Sequence, residues 1–329
     1  MRLSVSEERL PLSAPFVIAG YTFVDLTVIV ARITRDGMTG EGEAAGVYYL
    51  NDDAAHMTAA IEAVRAEIEA GADRQALRSL LPAGGGRNAL DCALWDIEAR
   101  QAGRPVWQLA GLTQPRALTT TFTIGADEPG LMAARAGGFA QAKSIKLKLT
   151  GDAALDAERV RAVRKARPDV WLGVDANQGF DPARLEALMP ALVACKVKLL
   201  EQPFARGCDG DLDGFRSPIP VAADESVQGL SDIEPLVGRF DIVNIKLDKC
   251  GGLTEALAMA TEARRLGLSV MVGNMVGTSL AMAPAFILGQ VCDLADLDGT
   301  IFITHDRTPS VVFEHGRVSY PDHGWGRAV

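Results

Sequence analysis

Paired cysteines are missing from this sequence. Its five cysteines, Cys92, Cys195, Cys208, Cys250 and Cys292, are scattered, odd in number and free of any Cys-x-x-Cys spacing. That pattern excludes a disulfide framework and a zinc-ribbon type of site, and it fits free thiols in a reducing compartment. Histidine is scarce as well. His56, His305, His315 and His323 are the only four, and none falls at the end of a predicted central strand. Positive charge is in deficit, with 33 Lys and Arg against 42 Asp and Glu for a net charge of −9. Such a balance argues against nucleic acid or an anionic membrane as partner. No apolar run approaches the ~18 residues of a membrane span. The opening "MRLSVSEERL" carries charges where a signal peptide needs an apolar core. The expectation is a soluble, cytoplasmic protein.

What is present is alternation. From about residue 117, short apolar segments recur: "ALTTTFTIG", "SIKLKLT", "VWLGVDAN", "KLLEQPF", "IPVAADES", "DIVNIKLD", "SVMVGNMV" and "LADLDGT". Stretches with helical spacing, such as "AALDAERVRAVRKARP" and "LTEALAMATEARRLG", separate most of them. Strand and helix in turn predict a parallel sheet, and eight units predict an α/β fold of the (β/α)8 barrel type over residues 113–305. Residues 1–112 read differently, as antiparallel strands followed by helices, and predict an α+β capping domain. The C-terminal segment 306–329 is expected to return to that domain. The glycines of "GGGRN" are not followed by Lys-Ser/Thr, so they read as a tight turn before a helix rather than a phosphate loop.

In such a barrel, chemistry gathers at the carboxyl ends of the strands. Three consecutive predicted strands end in an acid: Asp175, Glu201 and Asp224. Three adjacent carboxylates repel one another and resist burial unless a cation joins them. An all-oxygen donor set predicts a hard ion, Mg²⁺, with Mn²⁺ as a substitute. "SIKLK" places Lys146 and Lys148 on one face of the second strand, about 7 Å apart. Lys246 ends the sixth strand, across the ring from Lys148. At an effective dielectric of ~20, two charges 7 Å apart repel by about 2.4 kcal/mol. On that reading Lys146 keeps Lys148 deprotonated, and Lys148 and Lys246 are opposed general bases. Two such bases beside a cation suit removal of a proton from the carbon next to a carboxylate, through an enediolate, and its return to the other face.

These residues resemble the enolase superfamily, within it the muconate-lactonising-type subgroup, and within that the dipeptide epimerases. The resemblance runs through Lys146-x-Lys148, "VDAN" with Asp175 and Asn177, "EQP" with Glu201, "ADES" with Asp224, "NIKLDKCGGLTEAL" with Lys246 and Asp248, "GTSLAMAPA", and "DLDG" with Asp296 and Asp298. "LPAGGGRNALDCALWD" is similar to the bacterial L-Ala-D/L-Glu epimerases. The resemblance implies a Mg²⁺-dependent epimerase inverting the C-terminal α-carbon of a dipeptide. Asp175, Glu201 and Asp224 hold the metal, with Asn177 and Asp248 supporting; Asp296 and Asp298 grip the substrate ammonium. Thr123 and Met275 are further substrate contacts. It also implies a homo-oligomer. An N-acylamino acid racemase, an o-succinylbenzoate synthase or a cycloisomerase of the same subgroup is the alternative. One departure stands out. Where the resemblance leads to an Arg for a glutamate side chain, this chain has Gly20, Tyr21 and Phe23, with Tyr48 and Tyr49 in a second lid loop. A buried carboxylate without a cation is costly, so the second residue of the substrate is expected to be non-acidic. Asp25 and Asp52 leave a cationic side chain open.

Overall fold

The computed structural model describes residues 1–18, 21–321 and 323–327. Gly20, one of the expected lid residues, lies outside them. Three antiparallel strands open the chain: β1 (Arg2–Ile18), β2 (Tyr21–Arg35) and β3 (Met38–Ala44), in that order across the sheet. Four helices follow: α1 (Ala54–Ala63), α2 (Arg65–Ala70), α3 (Arg74–Leu80) and α4 (Gly85–Ala102). Asp53 and Asp73 start α1 and α3 by accepting the backbone N–H of His56 and Ala76, which satisfies donors the helix itself leaves free. The long α4 is buried along most of its length and lies directly on β3. Glycine permits that approach: a Cβ on Gly42 would sit 2.1 Å from the Ala89 carbonyl oxygen, and one on Gly40 would sit 2.3 Å from that of Ala93.

A short helix α5 (Val106–Leu109) and a two-residue strand β4 (Leu118–Thr119) lead into the barrel. Its elements are β5 (Thr121–Ile124), α6 (Pro129–Gly138), β6 (Ser144–Lys148), α7 (Ala153–Ala166), β7 (Trp171–Asp175), α8 (Pro182–Ala194), β8 (Leu199–Glu201) and β9 (Val221–Ala223). They continue as β10 (Ile242–Lys246), α9 (Leu247–Cys250), α10 (Leu253–Arg265), β11 (Ser269–Gly273), α11 (Ser279–Gly289) and β12 (Leu294–Asp296). The eight strands β5 to β12 pair in chain order, all parallel. Both faces of such a sheet are covered, which explains the near-continuous burial of these strands. The fold is a (β/α)8 barrel with an N-terminal α+β capping domain.

Two details differ from the sequence reading. The first predicted barrel strand is broken at Thr120, whose hydroxyl accepts the N–H of Leu297 at 2.8 Å. No backbone ladder joins β12 to β5 among the described residues; Asp296 instead accepts from the Thr121 hydroxyl and Asp298 from the Thr123 N–H. The C-terminal strands β13 (Val312–Glu314) and β14 (Arg317–Ser319) form a hairpin whose β14 pairs with β4, and among the described residues neither pairs with the capping sheet. The segment meets the capping domain on either side of these strands: Arg307 pairs with Glu8 and Glu43, Trp325 Nε1 donates to Glu41 O, and Gly326 N–H donates to Asp96.

The two domains dock through buried polar contacts. Glu43 on β3 accepts from Thr278 N–H and from Arg307, which also pairs with Glu8 on β1. Arg87 on α4 donates to the Cys250 carbonyl, and Trp95 Nε1 donates to Thr254 on α10. No helix among the described residues is long and apolar enough to cross a membrane.

Candidate active site

Strand register lines up the charged residues. Lys148 on β6 sits opposite Asp175 on β7, and Asp175 opposite Glu201 on β8. Asp224 follows β9 directly. One oxygen from each of Asp175, Glu201 and Asp224 can be chosen so that all three lie within 4.8 Å of one another. Lys246 ends β10, four strands round the ring from Lys148. Its neighbour across the ladder is Gly273. A Cβ there would stand 3.0 Å from Lys246 Cε and 2.8 Å from Asn244 Oδ1, so glycine leaves the lysine its room.

Each carboxylate is bonded on both oxygens. Asp175 Oδ2 accepts from Lys148 at 2.5 Å, Glu201 Oε2 from Lys146 at 2.9 Å, and Asp224 Oδ2 from Lys246 at 2.6 Å. The remaining oxygens accept from Asn177 N–H, Asn244 Nδ2 and Lys249 Nζ. Burial pushes the Glu201 carboxyl up to about 7, with Asp175 adding to it. Burial works the same way on Asp224, but Lys246 and Lys249 overcome it and hold that carboxyl well below the usual range. A buried ammonium would ordinarily lose its proton more easily; the carboxylates around Lys146 (Asp296, Glu201, Asp175) and Lys246 (Asp224, Glu201) instead hold both well above the usual lysine range. This corrects the expected role of Lys146. Its charge is matched by Glu201 and Asp296 rather than directed at Lys148.

A hard divalent cation fits this donor set. Three acceptor-only carboxylates converge, and two further buried acceptors, Glu225 Oε2 and Asn177 Oδ1, have no donor. Both of those residues line the cleft. They suit the hydrogens of water on a cation or the amide of a substrate.

Lys146, Lys148, Lys246, Asp224, Asp296, Asp298, Thr123 and Met275 all line one cleft. Phe23, Tyr48 and Tyr49 line it from the capping domain. Tyr21 does not; it packs behind Phe23 and Tyr48, at centroid distances of 6.1 and 4.5 Å. Asp296 is engaged by Lys146 and Thr121. Asp298 is the less compensated of the pair, and burial next to Asp296 pushes its carboxyl up to about 7. Asp248 does not line the cleft; it accepts the N–H groups of Ala45 and Gly46, fixing the loop that carries Tyr48 and Tyr49. Neither Asp25, paired with Arg9, nor Asp52, bonded to His56 and Gly85, reaches the cleft, so neither offers a counter-charge to a cationic side chain.

Sequence reasoning missed Asn244, Lys249 and Glu225. Asn244 carried a signal, because on β10 it shares the face of Lys246 as Lys146 shares that of Lys148. Lys249, one turn beyond Lys246, reads in sequence like any solvated charge.

The chain matches two family descriptions: "Mandelate racemase / muconate lactonizing enzyme, N-terminal domain" over residues 1–111, and "Enolase C-terminal domain-like" over 131–329. It is 40% identical to the L-Ala-D/L-Glu epimerase of Escherichia coli K12, covering 96% of this chain and 98% of that one. It resembles the structure of an enolase family member from Agrobacterium tumefaciens, with homology to dipeptide epimerases and with bound sodium and L-Ala-L-Glu. The TM-score is 0.93 at 39% identity, over 98% of each chain. A dipeptide epimerase from Methylococcus capsulatus, complexed with Mg and L-Arg-D-Lys, superposes with a TM-score of 0.89 at 30% identity, over 97% of this chain and 96% of the other.

Proposed function

From the premise that the chain belongs to the enolase superfamily, we propose that it is a dipeptide epimerase acting at the α-carbon of the C-terminal residue, with Mg²⁺ held by Asp175, Glu201 and Asp224. The observation that carries this reading is the placement of Lys148 and Lys246 on opposite strands flanking the three carboxylates. One lysine takes the α-proton from its own face, and the other delivers a proton to the opposite face, so the centre inverts. A Mg²⁺ held by these three carboxylates would supply positive charge that offsets their hold on the lysines and favours negative charge on a neighbouring substrate carboxylate. Lys146 stays protonated between Glu201 and Asp296 and acts as a fixed positive charge. Asp298 meets the substrate's free ammonium.

The substrate side chain faces an apolar wall. Leu12, Phe16, Phe23, Leu26, Tyr48 and Phe302 line that part of the cleft. Among the described residues, Lys146, Lys148 and Lys246 are the only cations in the lining, and each already has a carboxylate partner. A buried glutamate side chain would lack a counter-charge. The proposed substrate is therefore a dipeptide with an apolar or aromatic C-terminal residue.

The test is incubation of a dipeptide library in D₂O with Mg²⁺, read by mass. Deuterium gain in dipeptides ending in Leu, Phe or Tyr, abolished by a chelator, is the expected result. Gain confined to L-Ala-L-Glu would sink the side-chain reading. Gain only in N-acylated amino acids would sink the dipeptide reading.

A further inference from the structure

Each of the three metal-site carboxylates has one oxygen bonded to a donor that is structurally fixed. Asp175 Oδ1 accepts the backbone N–H of Asn177 at 2.9 Å. Glu201 Oε1 accepts Asn244 Nδ2 at 2.6 Å, and Asn244 is fully buried on β10. Asp224 Oδ1 accepts Lys249 Nζ at 2.5 Å. Lys249 is 2% exposed, and its ammonium also donates to the carbonyls of Asp224, at 2.5 Å, and Asn244, at 3.0 Å. All three of its hydrogens are thereby used. The second oxygens meet different partners. These are the cleft-lining Lys148, Lys146 and Lys246, whose chains reach in from strand ends.

We infer that Asn244 and Lys249, together with the Asn177 backbone, hold the three carboxylates to one metal bond apiece and so set the site against calcium. The inference rests on the proposed reading that the three carboxylates hold a divalent cation. Magnesium takes near-octahedral geometry, and three single oxygens leave it room for water and substrate. Calcium takes six to eight oxygens and gains from carboxylates that bind through both. A carboxylate whose second oxygen is bonded to a buried, immobile donor cannot offer that pair without losing the hydrogen bond. Asn244 and Lys249 are positioning residues in this account. Neither lines the cleft.

The deciding quantity is a ratio. Losing the charge of Lys249 alters the attraction for both dications alike, as does a general loosening of the site. The ratio of the two affinities cancels such common changes and reports how many oxygens each ion finds. Calorimetric titration of the substrate-free protein with MgCl₂ and with CaCl₂ gives both constants for wild type, Asn244→Leu and Lys249→Met, with circular dichroism to show that each variant is folded. The expected result is that Kd(Ca)/Kd(Mg) falls by about tenfold in each variant as an extra carboxylate oxygen becomes available to the larger ion. A ratio that stays within about twofold of wild type in the folded variants, either one sufficing if the other does not fold, overturns the inference while leaving the metal reading intact. Wild-type protein that binds neither ion overturns the metal reading itself, and the inference falls with it.

Discussion

Lys148 and Lys246 hold different carboxylates, Asp175 and Asp224, so each can be removed while its opposite number keeps its partner. Lys148→Ala is expected to slow epimerisation by about 10³-fold, within the usual range for a lost acid–base group. Proton exchange with D₂O should persist from one epimer alone, followed by NMR. Equal loss of exchange from both epimers would contradict an assignment of one lysine to each face. Asp298 gives a second test at this scale. Its carboxyl is pushed up to about 7, so it is neutral below that pH and charged above it. The ammonium grip proposed for it would therefore strengthen as pH rises through about 7, and KM for a free dipeptide should fall over that interval. Asp298→Asn should flatten this limb of the KM profile. An unchanged profile would remove Asp298 from ammonium recognition.

The elements impose their own tests. Gly42→Ala drives a Cβ to 2.1 Å from the Ala89 carbonyl oxygen, forcing β3 and α4 apart. A cost of about 1–3 kcal/mol, typical of overpacking, is expected in denaturant unfolding. Asp248, between β10 and the loop it fixes, is pushed by burial from 3.8 to about 7. Between those values the folded protein binds the extra proton, so stability falls as pH rises across the window and levels off above it. Asp248→Asn keeps an acceptor for Ala45 and Gly46 without the charge. It should raise the melting temperature relative to wild type at pH 8 and change it little at pH 4; a gain equal at both would locate the effect elsewhere. The barrel elements were legible because alternation of strand and helix repeats eight times, and the carboxylates because they end successive strands. The seam was not. Residues 117–125 read as one strand, and nothing in their composition shows that Thr120 turns its hydroxyl to Leu297. Nor does sequence show which lid aromatic faces inward: Phe23 enters the cleft while Tyr21, two residues away, stacks behind it. The engagement of Lys146 by Asp296 joins residues 150 positions apart, beyond the reach of local pattern.

For the whole molecule, a cation that binds only the folded form adds stability by mass action. At 100 times its Kd, Mg²⁺ should contribute about 2.7 kcal/mol, visible as a higher melting temperature that a chelator reverses. No shift would count against metal at the three carboxylates. Arg307 joins Glu8 and Glu43 of the capping domain to the C-terminal segment beside Thr278 of the barrel. Arg307→Met leaves Glu43 buried without its cation, a change that costs about 3–5 kcal/mol in comparable pairs. Calorimetry should then resolve two transitions, one for each domain; a single sharp transition would show that the remaining contacts suffice to couple them. The junction between β12 and β5 has a wider consequence. Seven neighbouring strand pairs are joined by backbone ladders, while the eighth relies on Asp296, Asp298 and the threonines of β5. A cask with one stave held by pegs rather than hoops opens at the pegs. On the proposed reading those pegs are also the carboxylates that meet the substrate ammonium, so a bound dipeptide would tighten the very joint where the wall would part, and its release would slacken it. Amide exchange in β5 and β12 should be the fastest among the barrel strands and should slow most when a dipeptide is bound.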